Sequence, residues 1–257
     1  METQVVDTEK VTIRPITKKT AKDIIEKHHY THNFSSCRYS LGVYYKKENV
    51  HKFLDTNNEE LIGCIVYGHP VGSLAVNSIS EELEFNNVLE LTRLFIFDGY
   101  GKNIESFVIS QSFRWLKKNA PNIKVLISYA DPEQSHLGII YQATNWNYQG
   151  IGYSKLMPSY SIRLTENGEW IHSRTVGSKF QSRNIEHLKR VIGKTFWRKE
   201  ESSKHRYLYF LCDKREKKRL VNSLKYPPMK YPKDTEQFKP VIETIMVINK
   251  ELQFCLN

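Results

Sequence analysis

Four side chains with proton-carrying or anion-holding chemistry fall within or just after apolar runs. Ser128, near the end of the run Lys124–Tyr129, and Asp131, just after it, lie three apart, and His136 follows five residues on. A hydroxyl and a carboxylate so spaced can face one pocket through a turn. Asp131 before Pro132 also suits a helix N-cap, since an Asp there accepts backbone N–H bonds; a cap and a base are compatible roles. Arg93 sits inside a second apolar run, Val88–Phe97. An arginine there can clamp a carboxylate with its fork of N–H groups. Glu90, three residues earlier, is expected on the opposite strand face, so a Glu90–Arg93 pair is not expected. Behind this run come Asp98, Gly99, Gly101, Lys102 and Asn103, then Ser106. Backbone N–H groups at a helix start beside a lysine suit a phosphate or carboxylate.

The elements that must hold these residues can be read from periodicity. Val88–Phe97 and Lys124–Tyr129 have strand length and composition. Asn103–Lys118 and Ser135–Asn145 have helical spacing, so the stretch predicts a βαβα unit with a parallel strand pair. Ligands of open α/β sheets bind beyond the carboxyl ends of such strands. Upstream, Val11–Pro15 predicts a strand and Thr17–Tyr30 a helix. That helix ends in His28, His29 and Tyr30, with His32 close behind; His28 is expected on its core face. Ser40–Lys46 and Leu61–His69 predict a hairpin across the polar link 47–60. Downstream, Asn167-Gly168 predicts a hairpin turn, Gly177–Ile192 is amphipathic, and Lys204–Leu211 predicts a strand. The charged run Asp213–Arg219 predicts a helix with a basic outer face. The tail 235–257 is apolar enough for one more element.

The run SYADP followed by H-L-G-x-x-Y-Q-A-T-N-W-x-Y-x-G, with E-L-T-R-L and K-N-x-x-S before it, resembles the Mom family of phage DNA-modification proteins. The resemblance spans roughly Val11 to Lys233. It implies a GNAT-like α/β fold, a mixed twisted sheet flanked by helices. It also implies an enzyme that converts adenine in DNA to N6-(carbamoylmethyl)adenine and so shields phage DNA from restriction. By the same resemblance Tyr141 takes the place of a general acid, Asp131 that of a base or orienter of the amine, and Ser128 and Arg93 complete the catalytic group. His29, Tyr30, Lys102, Asn103, Ser106, His136 and Asn145 line the substrate side. A metal site, iron in particular, has been associated with the family's His-Tyr pair, here His29-Tyr30. The loop DGYGKNIES departs from the usual Arg/Gln-x-x-Gly-x-Gly/Ala pyrophosphate pattern of GNAT enzymes, so conventional acetyl-coenzyme A binding is not expected, and the cofactor stays open between an acyl-coenzyme A-like donor and iron. Two other functions fit the same residues: an amino-acid transferase acting on hypermodified pyrimidines in DNA, and a non-catalytic DNA-binding anti-restriction protein.

Adenine N6 must leave the duplex to react, and Tyr30, Phe34 and Trp146 are candidates to stack on a flipped base. The charge distribution points to double-stranded DNA as partner. Of the net charge of +10, residues 171–233 carry 18 Lys+Arg against 5 Asp+Glu, or +13, and the remainder carries −3. Such a localised excess is the footprint of a nucleic-acid binder. Lys189, Arg190, Lys214, Arg215, Lys217, Lys218 and Arg219 are the candidate phosphate contacts. Four widely spaced cysteines without a CxxC pair argue against a structural zinc. No apolar run approaches the roughly 20 residues that span a bilayer, so a cytoplasmic protein without a membrane partner is expected. A catalytic core over 1–165 and a basic C-terminal region over 166–257 are the expected domains.

Overall fold

The computed structural model describes residues 5–47, 58–151, 159–233 and 240–247. Most of the expected turn at Asp55–Asn58 and much of the tail 235–257 lie outside these residues. The chain divides into two compact units. The first comprises Met1–Ala130, Gly138–Gly150 and His205–Tyr231; the second comprises Asp131–Leu137, Ile151–Lys204 and Pro232–Asn257. The expected boundary at 165 is therefore corrected. The second unit is inserted into the first, and the chain returns at His205 to complete the first unit's sheet.

That sheet has seven strands in the order β1-β2-β3-β4-β5-β9-β6. They are β1 (Val11–Pro15), β2 (Tyr39–Lys46), β3 (Glu59–Gly68), β4 (Val88–Ile96), β5 (Val125–Ala130), β6 (Asn147–Ile151) and β9 (His205–Phe210). The expected mixed α/β sheet flanked by helices is what the chain forms. β1 to β4 form an antiparallel meander and β5 pairs antiparallel with β9. β4 and β5 are parallel, joined by α3 (Ile104–Asn119). Their ladder is short: Val88, Leu89 and Glu90 face Val125, Leu126 and Ile127, and no pairing continues beyond. β4 also carries an irregularity where Val66 faces Arg93 but Tyr67 faces Leu91. Thr92 is thus an extra residue, and a bulge of this kind shifts the alternation of side chains along the strand.

One sheet face is covered by α3, whose Ile104, Val108, Ile109, Phe113 and Leu116 fall on one side of the helix and are buried with Leu89, Leu126 and Tyr207. The other face takes α7 (Lys214–Asn222) through Leu220, against Val125, Ile127, Leu208 and Phe210. Helix α1 (Lys18–His28) starts at its Thr17 cap and packs Ala21 and Ile25 on Cys64 and Val66. His28 is exposed, stacked against Phe95, whereas the buried histidine is His29 at the helix end. This corrects the expected core face by one residue. Short α2 (Ser73–Asn77) lies before β4, and α4 (Ile139–Ala143) after β5. The predicted helix Ser135–Asn145 shrinks to α4, because Ser135 and Gly138 adopt left-handed backbone conformations that interrupt it.

In the second unit a three-stranded sheet runs β10 (Ile242–Ile245), β8 (Phe196–Glu200), β7 (Tyr160–Arg163). Ile162, Val176, Leu188 and Phe196 form its core under α5 (Ser173–Phe180) and α6 (Ile185–Ile192). The single amphipathic stretch Gly177–Ile192 becomes two helices, since Gln181 turns left-handed and Asn184 caps α6. The return after Asn167-Gly168 makes only the bridge Ile162–Ile171, and β7 pairs with β8 instead.

Candidate active site

The short β4–β5 ladder sets the geometry. Just beyond its last pair, the Ser128 hydroxyl reaches across from β5 to the Leu91 carbonyl of β4, 3.1 Å away. The same oxygen lies 2.8 Å from the Tyr141 hydroxyl on α4. Both residues are buried. Serine has one proton and a carbonyl only accepts, so both contacts are hydrogen bonds when Tyr141 donates to Ser128 and Ser128 donates to Leu91. Burial pushes the Tyr141 phenol up to about 12. The phenol therefore keeps its proton throughout the neutral range.

Arg93 lies further along β4. Its Nε donates to the Asn33 carbonyl at 2.9 Å and Nη1 to the Thr92 carbonyl at 2.5 Å, two of its five N–H groups. Burial lowers its pKa, while Tyr30 and Glu90 raise it. Glu90 stands in the last pair of the β4–β5 ladder, next to Leu91. Strict alternation would set Glu90 and Arg93 on opposite faces; the extra residue Thr92 explains why the expected separation fails. Glu90 is the functional candidate that sequence reasoning missed, because a bulge leaves no mark in the periodicity.

The model of the Mom protein family matches residues 10–233. The chain belongs to the Mom protein family. It is 26% identical over 219 residues to the methylcarbamoylase Mom of Escherichia phage Mu, covering 83% of this chain and 80% of that protein. Among solved structures, it is similar to an N-acetyltransferase from Staphylococcus aureus Mu50, at 12% identity over 79% of this chain and 99% of that one, with a TM-score of 0.40. It is also similar to a spermidine N-acetyltransferase from Vibrio cholerae in complex with CoA and spermine, at 9% identity over 79% and 96%, with a TM-score of 0.39.

In this Mom family member the other sequence-selected residues divide into groups. Asp131 belongs to the second unit and Ser128 to the first, and each is held by partners of its own unit. Asp131 caps a short 3-10 turn, Pro132–Gln134, accepting from the Glu133 N–H at 3.0 Å and the Ser202 hydroxyl at 2.7 Å, with Lys204 Nζ at 3.3 Å. Burial pushes its pKa up, but Ser202, Lys204 and the Glu133 N–H outweigh it and the carboxyl is held below its ordinary value. A carboxylate so supplied with donors is a weak base, so of its two expected roles, base or orienter of the amine, these surroundings favour the second. The backbone N–H of His136, itself exposed, closes the same turn on the Asp131 carbonyl. Asn145 is exposed with left-handed backbone and ends α4 through its N–H bond to Gln142.

Lys102, Asn103 and Ser106 do gather at the start of α3. Asn103 is its left-handed cap and makes no side-chain cap bond, while the Ser106 hydroxyl turns back to the Asn103 carbonyl at 2.9 Å. The loop is tied down by the Lys102 carbonyl, which accepts from Val6. His29 and Tyr30 stack at 4.4 Å. The His29 Nδ1 accepts from the Thr31 N–H, and no three His, Cys, Asp or Glu side chains among the described residues converge to hold a metal ion. The donor set does not fit the expected iron site, and no step is routed through iron. Tyr30 is exposed with its ring against that of His29, and Phe34 is half-buried against α1. Trp146 is fully buried against Phe113 and Tyr141, which corrects its expected role as a stacking platform.

The candidate phosphate contacts divide between the units. Lys189 and Arg190 lie on α6 in the second, Lys189 paired with Glu186. Lys214, Arg215, Lys217, Lys218 and Arg219 are exposed on α7 in the first, Arg219 being paired with Glu82 and Glu216. No helix among the described residues is long and apolar enough to cross a membrane.

Proposed function

We propose that this protein is a transferase of phage DNA that attaches the carbamoylmethyl group to adenine N6, taking it from a coenzyme A-like donor that carries the group through its methylene carbon, and so shields the DNA from restriction. Support comes from membership of the Mom family and from one structural observation, the buried Tyr141–Ser128–Leu91 proton path where β4 and β5 part. The uncapped N-terminus of α3, with Lys102 beside it, fits the phosphates of such a donor, because its first N–H groups lack a side-chain partner and carry the positive end of the helix dipole. The donor supplies an electrophilic carbon; everything else falls to the chain's own residues.

The N6 lone pair is delocalised into the ring, so the amine reacts only when its proton is taken as the new bond forms. Glu90, in the last pair of the β4–β5 ladder and next to Leu91, takes that proton. As the bond from N6 to the donor carbon forms, the bond to the leaving group breaks, and Tyr141 gives the leaving group its proton. Ser128 then turns its own proton from the Leu91 carbonyl to the phenolate, both within hydrogen-bond reach. Positioned general acid–base groups of this kind contribute about 10²–10⁴-fold. Arg93 braces the segment after α1 through the Asn33 carbonyl and keeps N–H groups for a developing negative charge. Tyr30 stacks on the flipped base, and the cations of α7 hold the DNA backbone without reading sequence. The purified protein, given duplex DNA and a coenzyme A derivative labelled in its carbamoylmethyl carbons, is expected to yield a labelled adenine nucleoside on digestion. Label confined to a pyrimidine would favour an amino-acid transferase instead, and DNA bound without any label would favour a binding protein.

A further inference from the structure

On β9 lies a buried cation that the mechanism above does not use. Arg206 is 8% exposed, and its Nε and Nη2 are buried without a hydrogen-bond partner among the described residues. A desolvated guanidinium without acceptors is costly, and arginine stays charged in proteins. Native structures seldom leave such donors empty, so an unpartnered one points to a group that arrives from outside. The surroundings suit an anion that enters from solvent. Arg206 lies directly opposite Tyr129 in the β5–β9 ladder, and its guanidinium stands 5.8 Å from the centre of the Tyr226 ring. Both tyrosines are partly open to solvent. Gln149 fixes this rim by donating from Nε2 to the Tyr226 carbonyl at 2.6 Å.

The position is also informative. Along β9, Arg206, Leu208 and Phe210 share one sheet face, the face on which α7 packs through Leu220. Lys217 of α7 stands 5.9 Å from the Phe210 ring. From Phe210 to Arg206 is four residues, roughly 13 Å of strand. Lys217 and Arg206 therefore belong to the same side of the sheet, at opposite ends of β9. Tyr129 is the neighbour of Ser128, so Arg206 faces one side of the β5 end while the Ser128–Tyr141 pair faces the other.

From this we infer that Arg206, between Tyr129 and Tyr226, binds a backbone phosphodiester of the DNA strand at the target nucleotide, forming the inner end of a phosphate track that begins on α7. The inference rests on the DNA-modifying reading. A guanidinium fork meets two phosphate oxygens at once, which fixes the strand's register as well as holding it. The other source of the same chemistry is a phosphate or carboxylate of the donor.

The test measures binding of the full chain to a duplex oligonucleotide by fluorescence anisotropy across a salt series, with Arg206→Met and Arg206→Lys beside the wild type. Arg206→Met is expected to weaken binding about tenfold and to make the salt slope shallower by about one phosphate contact. Arg206→Lys keeps the charge but loses the fork, so it is expected to keep the slope and lose part of the affinity. Methylphosphonate at a phosphate flanking the target adenine should weaken the wild type and add nothing in Arg206→Met. Thermal stability of Arg206→Met should stay at or above that of the wild type, since an unpartnered buried charge is replaced by an apolar chain. Unchanged affinity and slope in Arg206→Met would overturn the inference. A raised donor KM in that case would assign the site to the donor, and a lowered melting temperature would mark Arg206 as structural. If the wild type itself fails to bind DNA, the underlying reading falls with it.

Discussion

Asp131 shows how the fold selects between two roles that a sequence leaves open. Its carboxylate has three donors around it and sits below its ordinary pKa of 3.8. A depressed folded pKa contributes stability that is fully present above 3.8 and is lost as pH falls through the lower folded value. Asp131→Asn is therefore expected to cost about 1–2 kcal/mol at neutral pH, with the gap to the wild type closing in acid, as read by urea melts across pH. A gap independent of pH would contradict this. The sequence made Asp131 legible as a cap, because Asp before Pro has few other uses at a strand end. It could not show Ser202 or Lys204 arriving from about 70 residues away. Tyr141 and Ser128 were legible as candidates, but only packing shows that their hydroxyls meet. Glu90 was hidden by the bulge at Thr92, which defeats strict two-residue alternation.

At the scale of elements, local pattern carried the sheet well where burial was one-sided. The strand Val11–Pro15 and the β4–α3–β5 crossover lie where the apolar runs placed them, to within a residue. The reading failed where backbone conformation decides. The stretch after β5 looked helical from Ser135, yet Gly138 at φ +72 delays α4 and aims Tyr141 at Ser128. A Cβ at Gly138 would meet the Tyr207 ring at 2.6 Å and the Tyr141 ring at 2.9 Å. Gly138→Ala is expected to destabilise the first unit by more than 1 kcal/mol, through backbone strain and the displaced rings. Activity should fall further than the loss of folded protein explains. A variant that loses folded protein and activity in proportion would contradict the positioning role of this turn. β8 escaped sequence reading for a different reason: of its FWRKE only Phe196 is buried, so it offers no alternating apolar signal.

Across the whole molecule, the basic character of residues 171–233 was legible as charge but not as a location. The chain carries part of that charge into the second unit and returns with the rest on β9 and α7 of the first. A linear boundary at 165 could not anticipate a strand that comes back to pair with β5. Reversing Lys214, Lys217 and Lys218 to Glu on the exposed face of α7 is expected to weaken DNA binding by at least tenfold at 0.15 M salt. The melting temperature should be nearly unchanged, because none of the three makes an ion pair among the described residues. Retained binding would move the DNA surface elsewhere. The most direct measurement of the central claim is mass spectrometry of nucleosides from plasmid DNA of cells expressing the wild type or Tyr141→Phe. The buried proton path predicts a new adenine nucleoside heavier by a carbamoylmethyl group in the wild type, reduced at least a hundredfold in the variant. Equal modification in both would contradict the role of Tyr141, and unmodified adenine in both would contradict the transferase reading itself.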